Sequence, residues 1–310
     1  MPRDLPTALH ARPLFFEPVP PSARTSPGRA ETHLKEVATL VNGLPRIDAL
    51  DVPELVDENH DGRPYYRSGD TRVFARRAAE LTGRETVVNK VVAHLRDVPA
   101  LEAWARESVE RGLHHFVLVG GTSRYIPYPG PSVAEADRVV RPVAARAHGL
   151  VGNIAIPQRT GEAHRMLQKS RAGASFFTTQ ILFDSESALR MLREYDLLCR
   201  QAGVSPATVL LSVAPIADEG DAEFVRWLGA DIPEGAERAI LNGEEADSGP
   251  RSITRALAVW REVVKGVHRD EIAVPLGVNV EQISLRHLSI AGEMARAFAD
   301  LIDAEASPRA

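Results

Sequence analysis

Eight short runs along this chain are apolar throughout or alternate between apolar and polar residues, and the stretches between them repeat apolar positions every three or four residues. The first pattern belongs to β-strands and the second to amphipathic helices. The runs are LFFEPV (14–19), IDALDV (47–52), TVVNKVVAHL (86–95), HFVLVGG (115–121), LVGNIAI (150–156), 175–183, TVLLSVAPI (208–216) and IAVPLGVNV (272–280). Helical periodicity predicts helices near 30–41, 71–81, 98–111, 133–147, 160–171, 185–202, 221–228, 234–242, 251–265 and 281–303. Eight strands, each followed by helix, make a single-domain (β/α)8 TIM barrel over 14–303; a doubly wound sheet seldom reaches eight regular units in this length. Residues 1–13, polar and broken by prolines, are expected to be a flexible lead-in, and 304–310 a tail. The loop ELVDENHDGRPYYRSGD (54–70) is long enough to suspect of function.

In such barrels the reactive groups lie at the carboxyl ends of the strands. That rim receives Glu17, Glu54, His94, Thr122, Gln158, Gln180, Asp184 and Asn279, whereas His114 and His115 fall at the opposite, structural rim. Alternation along Ser175–Phe183 sets Phe176, Thr178, Gln180 and Leu182 on one face, and neither face is cleanly polar, so both are covered. Gln180 is then either a core amide bonded to neighbouring strands or a substrate-binding amide at the barrel mouth. Glu17 has Phe15 and Val19 on its own face; apolar walls raise a carboxyl pKa and suit it to donate a proton, while an arginine partner would make it merely structural. In the third strand either Asn89 or Lys90 must face the interior. An interior lysine would be ion-paired or a Schiff-base nucleophile.

Composition narrows the choices. The 310 residues are 44% hydrophobic and 25% charged, with a net charge of −5 that offers no basic stripe for nucleic acid. One cysteine, Cys199, excludes an internal disulfide and falls in a helical pattern as a buried thiol. No run approaches a membrane span and no secretory signal pattern opens the chain, so a soluble, cytoplasmic protein is expected. Arginines far outnumber lysines, which makes Lys90 and Lys169 conspicuous. HExxH, paired CxxC, GxSxG and Walker motifs are absent from the sequence, so zinc-peptidase, α/β-hydrolase and P-loop chemistries have no support. Gly120 and Gly121 mark either a close ligand approach or a tight turn.

Taken together, FFEPVPP (15–21), ASFFTTQILFD (174–184) and the eight-strand order resemble the methylenetetrahydrofolate reductase family from about residue 14 to 303. The resemblance implies that Glu17 is the general acid and that Gln180, within Gly173, Ala174, Thr179, Phe183 and Asp184, hydrogen-bonds the folate pterin. It likewise implies that Phe224 packs on folate or nicotinamide and that Lys169 lies on the flavin-phosphate side; His94 and Asn279 join it as cofactor-side candidates. Four departures concern the flavin. Gly120, Gly121 and Thr122 stand where the family has arginine-glycine-aspartate, and NIAIPQR (153–159) replaces a tyrosine-proline-glutamate-x-histidine-proline motif. Leu276 replaces a tyrosine beside the retained Asn279, and Gln168 replaces an arginine. Thr122 and Glu54 are candidates to stand in for the missing aspartate.

The resemblance therefore implies an enzyme of one-carbon metabolism that reduces 5,10-methylenetetrahydrofolate with NADH or NADPH, without tightly bound FAD and without a metal. It leaves homo-oligomerisation and the choice of nicotinamide open. Three alternatives stand beside it: a reductase that keeps FAD through other contacts, a Schiff-base lyase acting through Lys90, and a folate-binding barrel without catalysis.

Overall fold

The structure is a computed structural model that describes residues 3–122, 125–243 and 247–306. Eight parallel strands close into a barrel: β1 (Leu14–Glu17), β2 (Ala49–Val52), β5 (Glu85–Val91), β6 (His115–Val119), β7 (Val151–Ala155), β8 (Phe176–Thr179), β9 (Thr208–Val213) and β10 (Leu276–Glu281). The helical layer comprises α2 (Pro27–Asn42), α3 (Thr71–Thr82), α4 (Val98–Glu110), α5 (Val133–Ala145), α6 (Glu162–Ala172), α7 (Glu186–Ala202), α8 (Glu219–Trp227), α9 (Glu234–Leu241), α10 (Ser248–Arg269) and α11 (Leu288–Ala306). The (β/α)8 architecture is the one the strand count predicts. Local signals begin and end the helices: Asp70, Asp97 and Asp218 each accept a backbone N–H in the first turn of α3, α4 and α8, and Gly83 and Gly203 stop α3 and α7 in the left-handed region.

Alternation divides each strand between two cores. Leu14, Phe16, Leu50, Val52, Val88, Phe116, Leu118, Val151, Phe177, Val209, Leu211, Val278 and Val280 face outward and pack with the helices. Phe15, Ala49, Val87, Val117, Phe176 and Leu210 face inward and fill the lower barrel. Gly152 is required in that inner layer. A Cβ there would lie 2.5 Å from the ring of Phe176 on the adjacent strand. We expect Gly152→Ala to cost about 1–3 kcal/mol through overpacking, read from the urea midpoint at unchanged m.

Four expectations need correction. Residues 3–13 do not form a flexible lead-in: α1 (Leu5–Leu9), capped by Asp4, buries Leu5, Ala8 and Leu9 under the barrel floor, with Leu5 and Leu9 in one apolar cluster with Phe15 and Phe176. The spacing of Leu5, Ala8 and Leu9 makes one apolar helix face, which the prolines obscure in the sequence. The first two residues, and 307–310 of the expected tail, lie outside the described residues; Ala304–Ala306 continue α11. The sixth barrel strand ends at Thr179, so Gln180 begins the following loop. Within 54–70, β3 (Val56–Glu58) and β4 (Pro64–Tyr66) form an antiparallel hairpin beside the mouth.

Candidate active site

At the carboxyl ends of the strands the barrel opens into a cavity of about 540 Å³. Its lining includes Glu17 and Glu281 from neighbouring strands, Asn89, Thr178, Gln180, and the aromatic pair Phe224 and Trp227 from α8. Glu17 and Gln180, 163 positions apart in the sequence, thus meet one space. Phe224 and Trp227 stack with ring centroids 5.7 Å apart, a flat apolar wall of the kind that receives planar rings. The Arg67 guanidinium lies over Trp227, 4.8 Å from the ring centroid.

Glu17 ends β1 facing inward, and its Oε2 accepts the Asn279 Nδ2–H at 2.7 Å. Among the described residues no cation pairs with it, so the arginine-partner alternative does not hold here. Burial pushes its carboxyl up to about 7, with the Asn279 hydrogen bond opposing. A raised carboxyl pKa favours folding most below the unfolded value near 4.5, and that advantage is lost as pH rises toward 7. We expect the wild type to lose about 3 kcal/mol relative to Glu17→Gln across that window, read from urea unfolding at both ends.

Asn279, expected on the cofactor side, is therefore the partner that aims Glu17; it also reaches Ser212 Oγ at 3.3 Å. Gln180 donates from Nε2 to the Leu228 carbonyl at 2.9 Å and accepts the Ile181 N–H at 2.9 Å. One N–H and one carbonyl lone pair of that amide remain for a ligand.

Glu54, Thr122 and His94 belong to a latch. Glu54 accepts Lys90 Nζ at 2.6 Å and the Val91 N–H at 2.7 Å. Glu58, on β3, accepts the Thr122 hydroxyl and the Tyr128 hydroxyl, each at 2.6 Å, and lies 2.8 Å from His94 Nε2. These bonds clasp the hairpin to the barrel rim, and together they hold the Glu58 carboxyl below the ordinary glutamate value despite its burial. Thr122 also lines the main cavity; Glu54 lines an adjoining one of about 400 Å³ under the hairpin. The backbone at Gly121 yields to the Tyr128 ring, which a Cβ would meet at 2.2 Å, so this glycine serves the latch.

Asn89, not Lys90, faces the cavity. Lys90 points outward between the rings of Tyr66 and Trp104, 5.8 Å from each centroid, with its ammonium on Glu54. That ion pair leaves the Schiff-base alternative without a free amine. Lys169 lies outside the barrel wall, where Nζ donates to the Ile154 carbonyl at 2.7 Å and burial pushes its ammonium below the lysine range. Leu276 also faces the helical layer. The cofactor-side candidates Lys169, His94 and Asn279 therefore do not converge on one surface. They offer no common surface to an isoalloxazine and its phosphates. Asp184 accepts the Ser187 N–H at 2.9 Å at the start of α7, and Gln158 reaches Ser187 Oγ at 3.4 Å. His115, at the opposite rim, pairs with Glu85 at 3.2 Å.

Asp51 and Glu281 were not anticipated. Asp51 is fully buried beneath the cavity, and neither carboxyl oxygen has a well-aimed hydrogen bond. Strand alternation from Ala49 would have turned it inward. The apolar pattern of the last strand ends at residue 280, whereas the strand itself runs one residue further and carries Glu281 inward. Trp227 could have been found from its spacing of three from Phe224 in a helix.

No protein-family model and no curated protein matches the sequence. Among solved structures, the chain is similar to a protein from Clostridium thermocellum that binds two copies of 5-methyl-5,6,7,8-tetrahydrofolic acid. The TM-score is 0.78 at 16% identity, over 96% of this chain and 99% of that one. An aldo-keto reductase in complex with NADPH aligns at a TM-score of 0.47 and 10% identity, over 93% of this chain and 83% of that one, a likeness too loose to carry an argument. The first likeness bears on architecture alone, and with the closed eight-stranded sheet it makes this chain a single-domain (β/α)8 barrel.

Proposed function

We propose that this chain binds a reduced folate in the barrel mouth and reduces 5,10-methylenetetrahydrofolate to 5-methyltetrahydrofolate, with NADH or NADPH as hydride donor and no tightly held flavin. One observation carries the reading: an inward-facing glutamate without a cationic partner among the described residues, Glu17, pushed up to about 7, shares a cavity with Gln180 and the Phe224–Trp227 wall. A carboxyl with that pKa donates a proton near neutrality. The similar fold that binds 5-methyltetrahydrofolic acid, the product of the proposed reaction, supports the folate half of the reading.

In this scheme Glu17 protonates the bridging nitrogen N10 of the substrate's five-membered ring. The carbon–nitrogen bond opens toward N10 and leaves an iminium between N5 and the methylene carbon. Hydride from the reduced nicotinamide adds to that carbon, giving the 5-methyl group and the oxidised nicotinamide. Gln180 contributes its spare N–H and lone pair to the pterin, and the aromatic wall holds a ring flat against the reacting carbon. Asn279 keeps the Glu17 carboxyl aimed into the cavity.

The test is anaerobic incubation of the purified chain with methylenetetrahydrofolate and each reduced nicotinamide, with the product identified by mass spectrometry and the visible spectrum recorded first. Formation of 5-methyltetrahydrofolate by protein without flavin absorption is expected. Stoichiometric flavin absorption would overturn the flavin-free clause. Tight folate binding with no turnover under either nicotinamide would reduce the protein to a folate-binding barrel.

A further inference from the structure

Glu17 does not stand alone at the cavity floor. The β1–β10 register pairs it with Glu281, and the β1–β2 register, which pairs Phe15 with Ala49, carries Asp51 to its other side two residues on. Neighbouring strands lie about 4.8 Å apart, so three inward carboxyls occupy adjacent places on three strands. Among the described residues no lysine or arginine pairs with any of them. The charged groups nearby point elsewhere: Lys90 and Glu54 bind each other on the outer side of the wall, and Arg159, which lines the cavity, lies 3.9 Å from Glu162.

The hydrogen-bond inventory of this floor is short of donors. Oδ1 of Asn89 and Oδ1 of Asn279 are buried acceptors without partners, and the Asp51 carboxyl is approached only by the Asn89 amide, outside the geometry of a well-formed hydrogen bond. Ionised carboxyls only accept, whereas a protonated carboxyl also donates. A proton on Asp51 gives that group a donor with the orphaned Asn89 oxygen alongside it. Carboxyls side by side in an apolar wall resist ionising together.

Resting on the proposed reaction, we propose that Asp51 and Glu281 are positioning residues that share protons with Glu17, and that Glu281, the one of the two that reaches the open cavity, returns a proton to Glu17 after each turnover. The proton balance is closed. Glu17 gives its proton to the substrate nitrogen and becomes a carboxylate, Glu281 passes its proton to Glu17 and becomes a carboxylate in turn, and solvent in the cavity reprotonates Glu281. Asp51, sealed from the cavity, acts through charge and hydrogen bonding alone. Burial first, and then the Glu17 charge, hold both Asp51 and Glu281 well above the ordinary carboxylate range, with hydrogen bonds from Asn89 to Asp51 and from Ser212 to Glu281 opposing, so that both keep a proton when Glu17 has lost its own.

The test is an infrared pH titration of the full chain, following the carbonyl stretch of protonated carboxyls, on the wild type, Glu17→Gln, Glu281→Gln and Asp51→Asn. The wild type should keep protonated-carboxyl absorption above pH 7. Glu281→Gln and Asp51→Asn should each remove part of it, and Glu17→Gln should bring the midpoint of the remaining absorption down, because the Glu17 charge is what raises its neighbours. Loss of the band below pH 7 in the wild type, or a midpoint that Glu17→Gln leaves unmoved, would overturn the proposal. The two readings fail separately. Shared protons without folate turnover would sink the reductase assignment alone, and Glu17-dependent turnover with an unmoved midpoint would sink the proton sharing alone.

Discussion

Glu17→Gln should lower kcat for methylenetetrahydrofolate reduction by about a hundred- to ten-thousand-fold while leaving tetrahydrofolate affinity within a few-fold. The amide has nearly the shape of the acid, and its oxygen still accepts the Asn279 N–H that holds Glu17 at 2.7 Å. Binding contacts from Gln180 and the aromatic wall are untouched, so the loss falls on proton donation. An amide cannot deliver a proton to the leaving nitrogen. Steady-state kinetics with calorimetric titration of tetrahydrofolate separates the two quantities. A variant that keeps wild-type kcat would remove Glu17 from the chemistry, and one that loses folate affinity in proportion to kcat would make it a binding residue instead.

The second large effect concerns stability. Lys90→Met should destabilise the fold by about 3–5 kcal/mol, because it strands the Glu54 carboxylate in a place built for an ion pair. Lys90 and Glu54 are only 9% and 11% exposed at their side chains, and their charged atoms are 2.6 Å apart. Methionine keeps the apolar stem between Tyr66 and Trp104, so packing is largely retained and the charge is what disappears. Urea unfolding near pH 7.5 reads the loss, and Lys90→Met with Glu54→Gln should recover most of it, since both ends of the pair are then neutral. Borohydride added with substrate should trap no covalent adduct on Lys90. A trapped adduct, or a destabilisation under about 1 kcal/mol, would show that this lysine is freer than the ion pair allows.

Legibility in the sequence followed the range of the interactions involved. Strand alternation and helical periodicity are local, and they suffice for the eightfold βα order, for setting Phe176 and Thr178 on one shared strand face, and for placing Glu17 and Gln180 at the same rim. The α1 face was equally local but lay hidden among prolines. The hairpin was harder: β3 and β4 have three residues each, and what holds them comes from Lys90, His94, Thr122 and Tyr128, more than thirty residues away. No periodicity reports such partners.

Glu17 shows the same division. Its own run, with Phe15 before it and prolines after, was enough to predict a carboxyl in apolar surroundings. That Asn279 aims it, that Glu281 and Asp51 flank it, and that Asn89 rather than Lys90 turns toward it depended on barrel closure and register. By itself the sequence determined which residues share a strand face, because side-chain direction alternates with each residue of a strand. Only the tertiary structure decided which face turns inward and which residues become neighbours, because closing the barrel sets β1 between β2 and β10, and so brings Glu17 beside Glu281, 264 positions along the chain.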